Sequence, residues 1–261
     1  MSTTDFIIEL FCRVDDAMTE VPKHNQASLH PSEVVTLALL FAIKGVGNRA
    51  FYRWIRRDCL PLFPNMPERT RLFRLFVTHQ EWSARFMAEP TLLGVVDTYG
   101  IELLHPWRYE RTPHQMGCKG FSNHKWIVGG KLCLLLNKWG LVVDWDCATA
   151  NVHDSTFQPM IARYEEQMIV LADQLFSLKK GNPSNLLICE RGKWNARMMI
   201  ETVLSMLHTT CHIKHMAHRV WTYFQARLAF TMAAFNLLAQ WDGLRHDGQG
   251  RVHMSIAQFG L

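Results

Sequence analysis

The sequence has no Cys-x-x-Cys pair, no long apolar run, no internal repeat and no low-complexity segment. Its seven cysteines (Cys12, Cys59, Cys118, Cys133, Cys147, Cys189, Cys211) are odd in number and scattered. That argues against a disulfide framework and for reduced, mostly buried thiols in a cytosolic protein. Met1 to Glu9 shows no cationic start followed by an apolar stretch, so no secretory leader is expected. The most apolar helix-patterned stretch, Leu228 to Ala239, is too short to span a bilayer and is bounded by Arg227 and Gln240, so a membrane role is not expected. With 48% hydrophobic and 20% charged residues, the composition excludes a disordered chain.

What is present is enough for one large domain or two modest ones in 261 residues, with a net charge of +5 and 13 histidines. A mildly basic balance permits a polyanionic partner without requiring one. Residues 1–88 read as helical: Phe6 to Glu20, ended by Pro22; Ser32 to Lys44, opened by Pro31; then shorter helices over Ala50 to Arg57 and Arg69 to Thr78. From Lys44 to Arg74 there are eight basic residues against two acids, with Phe51, Tyr52 and Trp54 interleaved. Helix, glycine-containing turn and helix with exposed arginine suit a DNA-binding segment; a solvated face with snorkelling arginines is the plainer reading.

From Leu92 the pattern changes to strands. Leu92 to Asp97 is a short apolar run between Pro90 and Gly100 that ends in an acid. Trp126 to Asn137 and Leu141 to Ala148 flank the turn Lys138-Trp139-Gly140 and read as a hairpin, and His105 to Asn123 as a loop. A helix over Thr156 to Glu166 and a fourth strand from Met168 to Asp173 complete a crossover, followed by the polar loop Lys179 to Asn185 and by helices over Asn195 to His208 and Val220 to Trp241. This order predicts an α/β fold, a mixed sheet covered by helices, with residues 1–88 as a helical segment, 89–245 as the sheet-bearing unit and 246–261 as a tail. If the first and fourth strands are adjacent and parallel, Asp97 and Asp173 lie side by side at the carboxyl edge. Two such carboxylates repel unless a cation separates them, and without Cys or His ligands the choice falls on Mg²⁺ or Mn²⁺. Taken singly, either acid reads as a solvated strand end. Asp154, after the third strand, is the rival second acid, otherwise a cap for the following helix.

In the helix from Trp194 to His208, Arg197 and Glu201 are four apart and share a face, with His208 two turns on from Glu201. Strand-end Asp97, strand-end Asp173 and helical Glu201 resemble the acid triad of the ribonuclease H-like DDE transposases. Trp194-x2-Arg197-x3-Glu201-x6-His208 resembles the Tyr-x2-Arg-x3-Glu-x6-Lys signature of one bacterial insertion-sequence group. Ala172-Asp173-Gln174-Leu175-Phe176 resembles that group's Asp-x-Gly-Phe/Tyr motif, and Ala150 to Ser155 its Asn-x-His-Asp-Ser stretch. The resemblance covers about residues 28 to 240; Leu175, Trp194 and His208 depart from it.

The resemblance implies a ribonuclease H-like mixed sheet of five or fewer strands. It also implies two Mg²⁺ (or Mn²⁺) ions on Asp97, Asp173 and Glu201, which would be the catalytic acids of DNA cleavage and strand transfer. Arg197, His208 and Trp194 would meet substrate, with Lys119, Lys125 and Lys131 extending the DNA track. The partners would be element ends and target DNA, and the active form a homodimer in a synaptic complex in the bacterial cytoplasm, associated with the nucleoid. Rival readings are a related nuclease without strand transfer, a decayed copy that only binds DNA, and a zinc site from His208, His212, His215 and His218 with Cys211.

Overall fold

The structure, a computed structural model, describes residues 2–111, 116–122, 125–179, 181–189, 197–216, 218–246 and 252–261. The chain begins with α1 (Thr3–Ala17), α2 (Pro31–Lys44), α3 (Asn48–Asp58) and α4 (Arg69–Thr78), followed by a 3-10 stretch over Gln80–Phe86. Ser2 and Asp5 form a reciprocal capping box at the start of α1. Pro31 opens α2 and Gly45 closes it at φ 66°, the left-handed conformation that suits a residue without Cβ. These helices follow the sequence pattern closely.

The strands are β1 (Leu93–Leu104), β2 (Cys118–Ser122), β3 (Lys125–Asn137), β4 (Val142–Thr149), β5 (Ile169–Ala172) and β6 (Leu186–Ile188), with α5 (Gln158–Ala162) between β4 and β5. Two longer helices, α6 (Arg197–Thr209) and α7 (Trp221–Ala239), follow β6. The sheet runs β2-β3-β1-β5-β6, with β4 also paired to β3. β3 lies antiparallel to β1, β2 and β4, whereas β5 is parallel to β1 and to β6. The protein is therefore α/β with a mixed sheet.

Four expectations need correction. The sheet has six strands, not five or fewer. β2 and β6 are five and three residues long and lie in polar surroundings, too short for a period of two to register. β1 does not stop at Asp97 but continues to Leu104, because Tyr99 to Leu104 go on pairing with β3. Gly100, which reads as a terminator, is inside the strand because a Cβ there would collide with Ser122 and Ile127. The helix expected over Thr156 to Glu166 is a 3-10 turn over Asp154–Phe157 running into the five-residue α5.

Buried residues of α1, α2 and α4 join those of β1, β3, α6 and α7 in one cluster. The change of pattern near residue 88 is thus a change of secondary structure within a continuous core. The expected tail contributes to it as well: Phe259 packs on Phe6 and Trp241, with ring centroids 5.8 and 5.2 Å apart. A smaller cluster, including Val96, Leu135, Phe157, Val170 and Phe176, fills the other face of the sheet under α5. Among the described residues no single helix is long and apolar enough to cross a membrane.

The joint between helices and sheet is polar. Asn236, fully buried on α7, accepts from the Val142 amide at 2.8 Å and donates to the carbonyls of Val142 at 2.7 Å and Phe86 at 2.9 Å. Each orphaned buried backbone group costs about 1–3 kcal/mol. Asn236→Leu is expected to lower the unfolding free energy by about 3 kcal/mol or more, read by urea denaturation; a loss below about 0.5 kcal/mol, the level of a neutral surface change, would show that the clamp is dispensable.

Candidate active site

The first two acids lie just past a shared register. β1 and β5 pair Leu93 with Ile169, Gly94 with Val170 and Val95 with Leu171. Continued two steps, beyond the last residue of β5, that register would set Asp173 opposite Asp97. Adjacent strands are about 4.8 Å apart and side chains two positions on return to the same face. β5 ends at Ala172, so Asp97 stands in β1 where its parallel neighbour gives out. Asp173 still has extended backbone and caps the 3-10 turn Gln174–Phe176. Both acids are partly buried. Thr98 N–H donates to Asp97 Oδ1 at 2.7 Å and Leu175 N–H to Asp173 Oδ1 at 2.9 Å. Leu175, which departs from the resembled motif, is 55% exposed.

The odd positions of β1 face α6 and α7, since Val95 and Ile101 belong to the larger core and Val96 to the smaller one. On that odd face Tyr99 shares a 2.7 Å hydrogen bond with His208 of α6. Lys214, just beyond α6, lines a groove with Leu103 and Leu104, while Met199 near the start of α6 packs at Gly140, in the turn beside Asn137, the partner of Gly94. α6 therefore runs in the same direction as β1 across its face. Glu201 precedes His208 by two turns, about 10 Å along the helix axis, which equals about three strand residues. That puts Glu201 level with the stretch of β1 that carries Asp97. Met199 packs at the β3–β4 turn, His208 bonds Tyr99, and Glu201 is exposed. Among the described residues no three His, Cys, Asp or Glu side chains are gathered closely enough to hold an ion. Asp97, Asp173 and Glu201 form no closed cage.

No family model, curated protein or solved structure matches this chain. The remaining site residues are placed by geometry alone. His208 carries no positive charge at neutral pH. Burial, then Lys214 and His215, pulls its pKa down to about 4, leaving a neutral imidazole at pH 7. Tyr99, not singled out in the sequence, is its partner; burial pushes that phenol up to about 12. Trp194 lies outside the described residues, as does the side chain of Arg197. Lys119 is exposed and sits over the Trp126 ring, 5.2 Å from its centroid. Lys125 is exposed and paired with Glu102 at 3.0 Å.

Asp154 and Lys131 require correction together. His153, not Asp154, caps the turn, accepting from the Ser155 amide. Asp154 is buried and takes Lys131 Nζ at 2.6 Å and Thr98 Oγ1 at 3.0 Å. Lys131 also donates to the Val152 carbonyl at 2.7 Å, so it is an interior tie and not part of a DNA track. Thr98 and Lys131 lie on the even face of β1, opposite Asp97, so Asp154 cannot serve as the second acid of that site. The rival zinc site does not assemble: Cys211 is fully buried, His212 packs on Gly45, and His218 lies edge-on to Phe41.

Two predictions follow from these placements. Lys131→Met strands a buried carboxylate and is expected to destabilise by about 3–5 kcal/mol, whereas Lys131→Met with Asp154→Leu recovers most of that loss; equal destabilisation of the single and double variants in urea would contradict the assignment. His208 has a folded pKa of about 4 against an ordinary 6.5, so the unfolded chain takes up its proton first as pH falls. Its contribution to stability is complete above pH 6.5 and is lost progressively towards pH 4. His208→Gln is expected to flatten the dependence of the urea midpoint over that window; an unchanged slope would refute it.

Proposed function

We propose that the protein is a DDE-type DNA transposase with a ribonuclease H-like catalytic core. The observation that supports this reading is the parallel register of β1 and β5, which continues towards Asp97 and Asp173, next to the strand that the helix bearing Glu201 crosses. Three carboxylates are a hard oxygen donor set, suited to Mg²⁺ or Mn²⁺ and unsuited to softer metals. Asp97 and Asp173 would hold the ions once their side chains turn from the Thr98 and Leu175 amides, with Glu201 completing the set. When bound, such ions activate a water or 3′-hydroxyl and stabilise the leaving oxygen of an in-line displacement at phosphorus.

The chain's own residues supply binding and orientation. α3 and α4 expose Arg49, Arg53, Arg56, Arg69, Arg71 and Arg74 to solvent, a surface fit for phosphodiester backbone. At the far end of β1 the β2–β3 hairpin shows Phe121 and Trp126, 58% and 57% exposed, beside Lys119. Bases stack on such rings while the ammonium meets phosphate. Tyr99 and His208 fix α6 against β1 and so hold Glu201 at the level of Asp97. The partners under this reading are element ends and target DNA, and the working form is a homodimer bridging two ends.

A second reading is favoured by one observation: the acids are not gathered as they stand. It makes the chain a DNA-binding remnant without catalysis. Asp97→Ala separates the two. In a cleavage assay with Mg²⁺ or Mn²⁺ on duplexes from the DNA flanking the coding sequence, the transposase reading expects cleavage to fall by about two orders of magnitude or more in Asp97→Ala, with gel-shift affinity retained. End-cleavage at full rate by the variant would sink the assignment. Absence of Mn²⁺ uptake by the parent protein in calorimetry would favour the remnant.

A further inference from the structure

A second candidate site lies away from the acids, where α3, α4 and α7 begin. A cavity of about 410 Å³ there is lined by Asn48, Arg69, His218, Arg219, Tyr223 and Arg227, among others. Asn48 is the first residue of α3, Arg69 the first of α4, and Val220 the residue before α7. These helices are 11, 10 and 19 residues long, and none of the three has a side-chain cap. Each start leaves backbone N–H groups without an intrahelical acceptor and presents the positive end of a helix dipole. Among the described residues no Asp or Glu lines the cavity.

Arg227 points to what the cavity takes. It is 4% exposed, and its guanidinium rests on the Phe41 ring, 4.3 Å from the centroid. Nη1 donates to the Val46 carbonyl at 3.2 Å, while Nε and Nη2 have no acceptor among the described residues. Burial lowers its pKa to about 10, so it is still charged at neutral pH. Nε2 of His218 is likewise buried without a partner. A buried cation with no counter-charge is strongly unfavourable, and a guanidinium with two donors free in its fork matches a tetrahedral oxyanion. Arg69 and Arg219 stand exposed at the rim, able to close over the same ligand.

We propose that this cavity is a phosphate site, held by Arg227 at its floor, by Arg69 and Arg219 at its rim and by the uncapped starts of three helices. The ligand is a phosphate group, carried either on a nucleic-acid backbone or as the free anion. The site stands independently of whether Asp97, Asp173 and Glu201 hold metal.

The test uses the full chain at constant ionic strength. Inorganic phosphate is titrated against chloride and followed by thermal unfolding and by 31P line broadening; a short DNA duplex is titrated in parallel by fluorescence anisotropy. Saturable stabilisation by phosphate alone supports a free-anion site, and binding of duplex without a response to phosphate supports a backbone phosphate, provided in either case that Arg227→Met weakens it roughly tenfold or more. Arg227→Met is also expected to unfold no lower than the parent in phosphate-free buffer, since it removes an unpaired buried charge. Should that variant fail to fold, Arg69→Ala with Arg219→Ala, both at exposed positions, carries the test and is expected to weaken the same binding without lowering the unfolding temperature. No response of the parent to either ligand, or responses of equal size in the parent and the variants, would overturn the proposal.

Discussion

Unequal pairing along β1 is the constraint from which the rest of the architecture follows. On one edge β3 accompanies it from Gly94 to Leu104; on the other, β5 pairs only from Leu93 to Val95. A long antiparallel partner and a short parallel one leave the second half of β1 with an open edge, beginning at Asp97. There the backbone of β5 turns away through the 3-10 turn capped by Asp173. A strand end in a parallel pair is where side chains reach solvent while still held by the sheet, and ligands of open α/β sheets lie at such edges. The candidate site thus owes its position to where one ladder of hydrogen bonds stops and the next continues.

The two buried cations of the interior show opposite solutions to one problem. Lys131 meets Asp154, Thr98 and a backbone carbonyl nearby, so its charge is matched inside the sheet face. Desolvating both charges removes much of the gain, so the pair serves more to fix β3, β1 and the turn after β4 in one arrangement than to add net stability. Arg227 has a ring beneath it and one carbonyl, and no anion among the described residues. Natural cores rarely retain a buried charge without a partner. The contrast within one molecule separates a structural charge from one whose complement comes from outside.

Much of this was legible in the residues, and the failures have physical causes. The N-terminal helices could be read because proline, glycine and a 3.6 periodicity mark their ends, and the parallel pairing of β1 with β5 because two apolar runs flank a crossover. Gly100 misled, since a glycine required by close packing against Ser122 and Ile127 is indistinguishable in sequence from one required by a turn. Lys131 read as a surface lysine because charge argues for exposure. Its signal was its place inside the apolar run Val128 to Leu136, just as Arg227 stands ahead of Leu228 to Ala239. The partnership of Tyr99 with His208 spans 109 positions and has no local signature. It makes His208, which stands where the resembled signature has Lys, a neutral hydrogen-bonding contact.

α7 links the two candidate sites mechanically. Asn236 ties it to β4 and to the Gln80–Phe86 turn, while Arg227 lies nine residues earlier, about 13 Å along the same helix axis. The helix is buried along most of its length between α2 and the sheet, so it transmits displacement as a rod and not as a hinge. Occupancy of the cavity by an anion would draw the starts of α3, α4 and α7 together and reduce repulsion among their dipoles and arginines. Because α7 is pinned to the sheet at Asn236, that tightening acts on the helical segment relative to the strand carrying Asp97. A phosphate bound among the helices and a phosphodiester presented to the acids would then be held in one frame, with the spacing between them set by a single helix.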